Sequence, residues 1–337
     1  MKKSIIRSTG KALPSRVVTN DDLAKLIDTS DEWIRQRTGI EQRYWVPEDK
    51  EVGASDLGLE ASLKALDKAG WVPEDIDFII FATLSPDIFF PGSGCLLQTK
   101  LGLNSTPALD IRQQCTGFLY GLATADSYIK SGLANKILLV GAEVQSTGLD
   151  KTTRGRDMTV IFADGGAAVC IEGVDTDENV GVVASCLHAD GKRSESLSLE
   201  LPSSKLKERI PLDLIKNSTR HYPKMDGKYI FKEALKKLPE VTKETLKKAN
   251  MKLEDIDLII PHQANLRINQ AYCELLKFDQ SKMFNNIQKY GNTTAATIPI
   301  ALEDAMDQNI IGKSGDVVLF TGLGAGLTWG GVLYIFP

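Results

Sequence analysis

The chain contains one helix-and-strand passage twice, 180 residues apart, and this duplication constrains its fold more than any other feature. Residues 66–80 and 246–260 are identical at nine positions. The same offset aligns the apolar run 137–140 with the run 317–320. We therefore expect two copies of one unit, packed about a pseudo-twofold axis.

Hydrophobic periodicity predicts alternating helices and buried strands in the first copy. A helix is expected over 54–69, where Gly70 provides the stop, and a buried strand over 76–83. A second strand at 108–111 and a helix at 117–129 follow. This alternation predicts a layered α/β fold with helices on both faces of the sheets.

The second copy repeats this plan. We expect a strand at 258–261, a short strand at 284–287 and a helix at 293–305. The predicted halves comprise residues 1–173 and 174–337.

Composition indicates a soluble cytoplasmic protein. Hydrophobic residues make up 42% of the chain and the net charge is −4. The five cysteines form no close-spaced pair, which is typical of reduced thiols in the cytosol. The N-terminus carries no apolar stretch of signal-peptide length, and no apolar run approaches the roughly 20 residues that span a bilayer. No membrane association is therefore expected.

Charge is unevenly distributed along this acidic chain. Residues 203–252 contain fourteen Lys and Arg against six Asp and Glu. A solvated surface is the better explanation for any single lysine, whereas the functional alternative is a positive surface that steers an acidic partner. Nucleic acid is disfavoured, because the region has no recognisable binding motif. The irregular stretch 185–223 is expected to link the halves.

The copies differ at three residues that can carry chemistry. Cys115 lies at a predicted strand-to-helix junction, where unpaired backbone N–H groups would lower its pKa below about 8.5. His262 directly follows a buried strand, and Asn292 lies near a helix start. A buried free cysteine or a lone histidine is more often structural. Their placement in opposite halves nevertheless predicts an active site between the halves.

The glycine-rich segment 322–326 superficially resembles a dinucleotide loop. A strand is predicted after it, so no helix N-terminus is available for a pyrophosphate. We expect these glycines to let the backbone approach the reacting centre closely.

Five motifs resemble those of the β-ketoacyl-acyl carrier protein synthase III family over nearly the whole chain. They are SDEWI with RTGI at 30–40, CTGFLY at 115–120, HQANLR at 262–267, GNTTAA at 291–296 and LTWG at 327–330. The resemblance implies the thiolase fold, in which two pseudo-twofold-related βαβαβαββ halves form five α-β-α-β-α layers. It also implies a homodimer.

The resemblance further implies a reaction. Cys115 takes an acyl group from an acyl-CoA and condenses it, with loss of CO₂, with a malonyl-acyl carrier protein. His262 Nε2–H and the Asn292 amide donate hydrogen bonds to the decarboxylating thioester. The backbone N–H groups of Cys115 and Ala325 form the oxyanion hole. No metal, nicotinamide or flavin is needed as a cofactor.

Other roles are transferred from the same resemblance. The coenzyme A contacts are Trp33, Arg37, Arg156 and Asn265; the alignment favours Arg156 and leaves Arg154 open. The carrier-protein contacts are Gln263 and Arg267. The acyl-pocket residues are Phe90, which crosses the dimer interface, and Leu323, which replaces a usual aromatic residue.

The departures from the family concern the acyl site. Gln113 and Gln114 replace small residues before the cysteine, and the linker is longer, so the starter group need not be acetyl. The leading hypothesis is an acyltransferase that initiates fatty-acid synthesis. The alternatives are a specialised relative condensing longer or unusual acyl groups for a polyketide, pigment or lipid, and a cysteine-dependent acyltransferase that forms no C–C bond. A non-enzymatic coenzyme A- or carrier-binding protein is a further class. Head-to-head acyl condensation ranks low, because the 85–91 segment offers only Asp87 as a base.

Overall fold

The computed structural model describes residues 2–337 as an alternation of strands and helices. The strands are β1 (Lys2–Ala12), β2 (Arg16–Thr19), β3 (Gln42–Trp45), β4 (Phe78–Ala82), β5 (Ala108–Ile111), β6 (Lys136–Glu143), β7 (Gly165–Asp175), β8 (Gly181–Ala189), β9 (Leu197–Ser198), β10 (Lys224–Met225), β11 (Leu258–Pro261), β12 (Val317–Gly324) and β13 (Thr328–Ile335). The helices are α1 (Asn20–Ala24), α2 (Asp31–Thr38), α3 (Ala54–Ala69), α4 (Ser93–Lys100), α5 (Gly117–Ser131), α6 (Arg156–Thr159), α7 (Leu212–Asn217), α8 (Gly227–Ala249), α9 (Leu266–Leu276), α10 (Ile287–Tyr290) and α11 (Thr297–Asp307). None of these helices has both the length and the apolar character needed to cross a bilayer.

Helix α3 has the predicted bounds. It ends where Gly70 adopts a left-handed φ of 67°, which favours glycine. Helix α11 begins at Thr297, four residues later than predicted, because the turn Thr294–Ala296 is a separate 3₁₀ helix.

Two mixed sheets repeat one strand order. The first runs β1-β7-β6-β4-β5, and the second, read in the matching direction, runs β8-β13-β12-β11. Strand β4 pairs in parallel with β5 and β6, as β11 does with β12, and the other pairs are antiparallel. The first sheet draws on residues 2–175 and the second on residues 181–335. The expected duplication is therefore present in the topology.

The pairing register corrects the alignment of the two apolar runs. Ile137 pairs with Phe78, whereas Val318 pairs with Leu258. Val318 lies 181 residues after Ile137, whereas Leu258 lies 180 residues after Phe78. The sequence alignment of β6 with β12 was therefore wrong by one residue. A slip of one residue exchanges the two faces of a strand. This shift decides which side chains of β12 reach the site.

The strand predicted over 284–287 does not form. A single bridge joins Met283 to Ile259 instead, and α10 begins four residues later, at Ile287. The backbone N–H of Asn286 donates to Gln263 Oε1 at 3.1 Å. The Gln263 side chain therefore accepts the backbone N–H of Asn286, which a longer strand pairing would have used.

The helices complete five layers. Helices α3 and α4 cover the outer face of the first sheet, and α8 and α9 cover the outer face of the second. Helices α5 and α11 lie between the sheets, where one apolar cluster includes Phe118, Ile298 and Phe320. The predicted α-β-α-β-α arrangement is confirmed, and both central helices begin at the interface between the copies.

The irregular stretch does not link the halves as predicted. Residues 185–189 belong to β8, which pairs with β13, so His188 lies in a sheet opposite Trp329. The two sheets are joined by the short segment 176–180. Residues 190–226 are instead an insertion between β8 and α8, and they contain β9, α7 and β10.

Candidate active site

Cys115 lies in the 3₁₀ turn Gln114–Thr116 that leads into α5. Its side chain is buried, with 5% of the residue exposed. The turn requires a left-handed φ of 45° at Gln114. The Thr116 hydroxyl bonds to the Gln113 carbonyl and to the Thr328 hydroxyl, both at 2.8 Å. The nucleophile is therefore held on a turn fixed from two sides.

The glycines of β12 place backbone directly against this turn. A Cβ added at Gly324 would lie 2.7 Å from the Cys115 Cβ, and one added at Gly322 would lie 3.3 Å from the His262 Cβ. Any larger residue at 324 would push the cysteine away. The expectation that these glycines allow a close approach to the reacting centre is met in the structure.

His262 follows β11 and is fixed by two hydrogen bonds. Its backbone N–H donates to the Thr321 carbonyl at 2.7 Å, and its Nδ1 lies 2.6 Å from Thr297 Oγ1. The Thr297 hydroxyl also lies 3.0 Å from the Thr294 carbonyl, and it has a single proton to donate. Nδ1 carries the imidazole proton when this hydroxyl donates to Thr294, and Nε2 carries it when the hydroxyl donates to Nδ1.

The environment keeps this imidazole neutral. Burial lowers the pKa of His262 to about 3. Nε2 is buried and has no hydrogen-bond partner within residues 2–337. Both tautomers of the neutral ring are compatible with the Thr297 contact, so the expected Nε2–H donor stays a prediction.

Asn292 is held by its backbone and by its side-chain oxygen. Its N–H donates to the Ile161 carbonyl at 2.9 Å, and its own carbonyl accepts the N–H of Ala163 at 3.0 Å. Oδ1 accepts the N–H of Thr294 at 2.8 Å, which fixes the orientation of the amide. The Nδ2 group makes no hydrogen bond to residues 2–337, so it is available as a donor.

The two copies use the same backbone for different purposes. With the offset of 180, His262 corresponds to Ala82 and Thr297 to Gly117. A Cβ at Gly117 would lie only 2.9 Å from the Ala82 Cβ, so the first copy has no room for an imidazole there. Only the second copy can hold a hydroxyl-supported histidine at this position.

The thiol of Cys115 is not activated in the resting site. Burial, followed by the charge of Glu143, raises its pKa to about 12. The backbone amides of Ala325 and Cys115 face the sulfur and oppose this shift without overcoming it. The predicted lowering of the pKa is therefore wrong for the unliganded protein, and the thiol needs a proton acceptor.

Trp33 is stacked between two arginines. The guanidinium carbons of Arg37 and Arg156 lie 4.3 and 4.4 Å from the ring centroid, and Arg156 also donates to the Asp28 carbonyl at 2.8 Å. Arg154 instead pairs with Asp150, at 2.6 Å. The structure therefore brings together Trp33, Arg37 and Arg156, and favours Arg156 over Arg154.

A cavity of about 1060 Å³ opens beside Cys115. Residues 84–89 form one side of it, and residues 197–206 of the insertion form the other. Gln114, Gln145 and Phe162 also line it. The site thus combines a buried nucleophile with room for a substantial substituent.

Comparison with known proteins identifies the family. The family model 3-oxoacyl-[acyl-carrier-protein] synthase III matches residues 109–191, and its C-terminal counterpart matches residues 246–336. β-Ketoacyl-[acyl-carrier-protein] synthase III of Clostridium perfringens is 42% identical over 99% of both chains. The chain belongs to the β-ketoacyl-acyl carrier protein synthase III family.

Solved structures of this synthase family agree. The enzyme of Aquifex aeolicus matches with a TM-score of 0.88 at 40% identity, covering 100% of both chains. The enzyme of Thermus thermophilus gives a TM-score of 0.89 at 37% identity, covering 99% of both. The predicted thiolase fold and the prediction of an acyl-transferring condensing enzyme are confirmed.

Two predicted contacts of this synthase are wrong. Leu323 lies between Gly322 and Gly324, which face the site, so strand alternation turns its side chain to the opposite face. It packs in the outer core of the second sheet rather than in the acyl cavity. Gln263 is 1% exposed, and its amide bonds to the carbonyls of Pro261 and Phe284. It cannot reach a carrier protein at the surface.

The remaining predicted residues have mixed environments. Asn265 caps α9 through the N–H of Arg267 and donates to the Arg37 carbonyl at 2.9 Å, so its amide already holds α2 against α9. Arg267 is exposed above the Phe231 ring. Phe90 is 73% exposed, and its neighbour Phe89, rather than Phe90 itself, lines the cavity of its own protomer.

Glu143, the last residue of β6, also lies near Cys115 and was not predicted from the sequence. It is buried and accepts hydrogen bonds from Thr83 Oγ1 at 3.1 Å, from the N–H of Leu84 at 3.1 Å, and from Ser85 Oγ at 2.6 Å. Burial raises its pKa to about 7. A carboxylate at a strand C-terminus is the same signal that identified His262, and it was available in the sequence.

We expect Glu143→Gln to make the Cys115 thiol more reactive above pH 7. Above that pH the wild-type carboxylate is charged and raises the thiol pKa, whereas below it both proteins are neutral at this position. The rate of iodoacetamide alkylation at pH 8–9 should rise about threefold to tenfold, with no difference at pH 6. Intact mass spectrometry in a Cys95→Ser background, which removes the exposed thiol, measures this rate.

The matched control is Glu303→Gln, which neutralises a buried carboxylate paired with Lys68. Its alkylation profile should follow the wild type. Identical profiles for Glu143→Gln and wild type would contradict the electrostatic coupling between Glu143 and Cys115.

Proposed function

We propose that this synthase transfers an acyl group from an acyl-CoA to Cys115 and condenses it with malonyl-acyl carrier protein. The product is a 3-oxoacyl-carrier protein that initiates fatty-acid synthesis. The observation that carries the proposal is that β12 lies against both the buried thiol of Cys115 and His262 of the opposite half, through Gly324 and Gly322. His262 Nε2 and Asn292 Nδ2 have no hydrogen-bond partner within residues 2–337. A thiol alone would suffice for acyl transfer without condensation.

In the first step, His262 Nε2 accepts the proton of the Cys115 thiol as sulfur attacks the acyl-CoA carbonyl. The backbone N–H groups of Cys115 and Ala325, which face the sulfur, donate to the carbonyl oxygen as it becomes negative. The C–S bond to coenzyme A then breaks, and the leaving thiolate takes the proton from His262. The histidine returns to its neutral state.

In the second step, the malonyl carboxylate leaves as CO₂ and its bonding electrons form an enolate. Asn292 Nδ2–H donates to the enolate oxygen. His262 can join it in the other tautomer, in which the Thr297 hydroxyl donates to Nδ1 and the proton lies on Nε2. The enolate carbon attacks the acyl thioester, the C–S bond to Cys115 breaks, and the leaving thiolate takes a proton from water.

The binding surfaces support the same assignment. The Trp33–Arg156 stack is the proposed adenine site, where the base would insert between the indole and the guanidinium, and Arg37 is placed to contact phosphate. The exposed Arg267 and the basic region 203–252 suit an acidic carrier protein. The proposed reaction needs no metal, nicotinamide or flavin.

A homodimer is part of the proposal. Strand β5 is the edge of the first sheet, and an exposed edge is a template for pairing with a second copy. The apolar side chains of Ile88, Phe89 and Phe90 are also exposed. A cytoplasmic location stays a prediction; all five cysteines are unpaired, as expected there.

The structure disfavours head-to-head acyl condensation. Asp87, the one acid of segment 85–91, accepts hydrogen bonds from the hydroxyls of Ser55 and Ser93 at 2.6 and 2.8 Å. A carboxylate held in this way anchors a loop and is poorly placed to remove an α-proton.

Intact mass spectrometry tests the proposed function in two stages. Incubation with acyl-CoA should add one acyl group to Cys115, located by peptide mapping. Adding malonyl-carrier protein should discharge that group as a 3-oxoacyl-carrier product. Loading without discharge would establish a simple acyltransferase, and no loading by any acyl-CoA would overturn the mechanism.

A further inference from the structure

Within a single protomer, the cavity beside Cys115 is far larger than an acetyl group requires. Its volume is about 1060 Å³, whereas cavities of about 300–1,000 Å³ hold ligands of drug size. An acetyl group has only three non-hydrogen atoms. The site therefore has room for a substituent many atoms longer.

The walls of the cavity are chemically suited to an aliphatic chain. They include Leu84, Met158, Phe162, Leu197 and Leu201. Leu199, which also lines it, is half exposed to solvent in the protomer. An acyl chain in the cavity would remove this apolar surface from water.

The insertion that builds one wall is anchored. Strand β9 pairs with β10, where Leu197 faces Met225. Glu200 forms ion pairs with Arg220 and Lys224, which bind the two sides of the insertion together. The Arg209 guanidinium lies 4.9 Å from the Phe89 ring, so the insertion also contacts the opposite wall.

We propose that the acyl group accepted by Cys115 is a straight fatty-acyl chain of medium length, about six to twelve carbons, in preference to acetyl. This inference rests on the proposed function and names the substrate class of the same site. Arg112 and Lys205 also line the cavity and form no ion pair within residues 2–337. They make an acyl group with a terminal carboxylate the competing ligand.

The decisive experiment measures the single-turnover rate of Cys115 acylation for individual acyl-CoAs. The full chain, in its solution assembly, is tested with acetyl-, butyryl-, hexanoyl-, octanoyl-, decanoyl-, lauroyl- and glutaryl-CoA. The specificity constant should rise about fourfold per added methylene over the shorter chains before it levels off. A maximum at acetyl-CoA or at glutaryl-CoA would overturn the proposal.

A pair of leucine variants ties the preference to the cavity wall. Leu199 is 50% exposed and lines the cavity, whereas Leu212 is 65% exposed on α7 of the same insertion and lies outside the lining. Leu199→Ala should lower the decanoyl-to-acetyl ratio of specificity constants about fivefold to tenfold. Leu212→Ala should leave the ratio at the wild-type value.

The outcomes separate the two proposals. A ratio unchanged by Leu199→Ala, or changed equally by both variants, would overturn the assignment of the chain to this cavity. Failure of every acyl-CoA to load Cys115 would instead overturn the proposed function itself.

Discussion

Cys115→Ser should abolish acyl loading, by at least about 1,000-fold, and leave a folded protein. Serine is close in size to cysteine, so the close approach of Gly324 to the Cβ at this position is preserved. Its hydroxyl, however, ionises far less readily than a thiol, in a site where burial already raises the pKa of the thiol to about 12. The mass of the Cys115→Ser variant should therefore stay unchanged with every acyl-CoA tested.

Intact mass after incubation with acyl-CoA measures this loss, and circular dichroism verifies the fold. The matched control is Cys95→Ser, which removes the exposed thiol and should load at the wild-type rate. Retained loading in Cys115→Ser would remove Cys115 as the nucleophile. Loss of loading in Cys95→Ser would assign the reaction to a surface thiol.

The fold was largely predictable because the chain contains two copies of one helix-and-strand unit. Two copies of an apolar strand followed by turn residues and an amphipathic helix leave few arrangements that bury every apolar face. The bounds of α3 and β11 agree with the sequence prediction for that reason. The missing ladder at 284–287 depends on the Gln263 side chain, which reaches Asn286 only in the folded chain. No local pattern reports such a long-range bond.

The errors in the site have one main physical origin, strand parity. Sequence similarity placed Leu323 near the acyl group, but a strand turns successive side chains to opposite faces. The glycines at 322 and 324 take the inner face, so Leu323 must take the outer one. A shift of one residue along β12 therefore decides whether a side chain faces the site or packs in the outer core.

The charge state of the site also lay beyond the sequence. The position of Cys115 before α5 correctly predicted backbone N–H groups at the sulfur. Their effect on the pKa is smaller than that of burial, which only the packed structure reveals. The consequence is that the thiol stays protonated until an acceptor takes its proton, and His262 is the acceptor in the proposed mechanism.

Asn292→Ala should separate the two chemical steps. In the proposed mechanism its amide donates to the enolate of decarboxylation but not to the acyl carbonyl, so acyl loading should stay within about threefold of wild type. Condensation should fall about 100-fold to 1,000-fold, the usual cost of removing one preorganised donor. Loading is read by intact mass, and decarboxylation by release of labelled CO₂ from malonyl-carrier protein.

Asn292→Asp is the variant that isolates the donor. The aspartate oxygen can still accept the N–H of Thr294, now donated to Asn292 Oδ1 at 2.8 Å, so the local backbone is held as before. The amide donor is replaced by an oxygen that repels the enolate, and condensation should fall at least as far as in Asn292→Ala. Near wild-type decarboxylation in Asn292→Asp would show that the residue acts through the backbone of its turn. Equal loss of loading and condensation in both variants would refute the division of labour between Asn292 and Cys115.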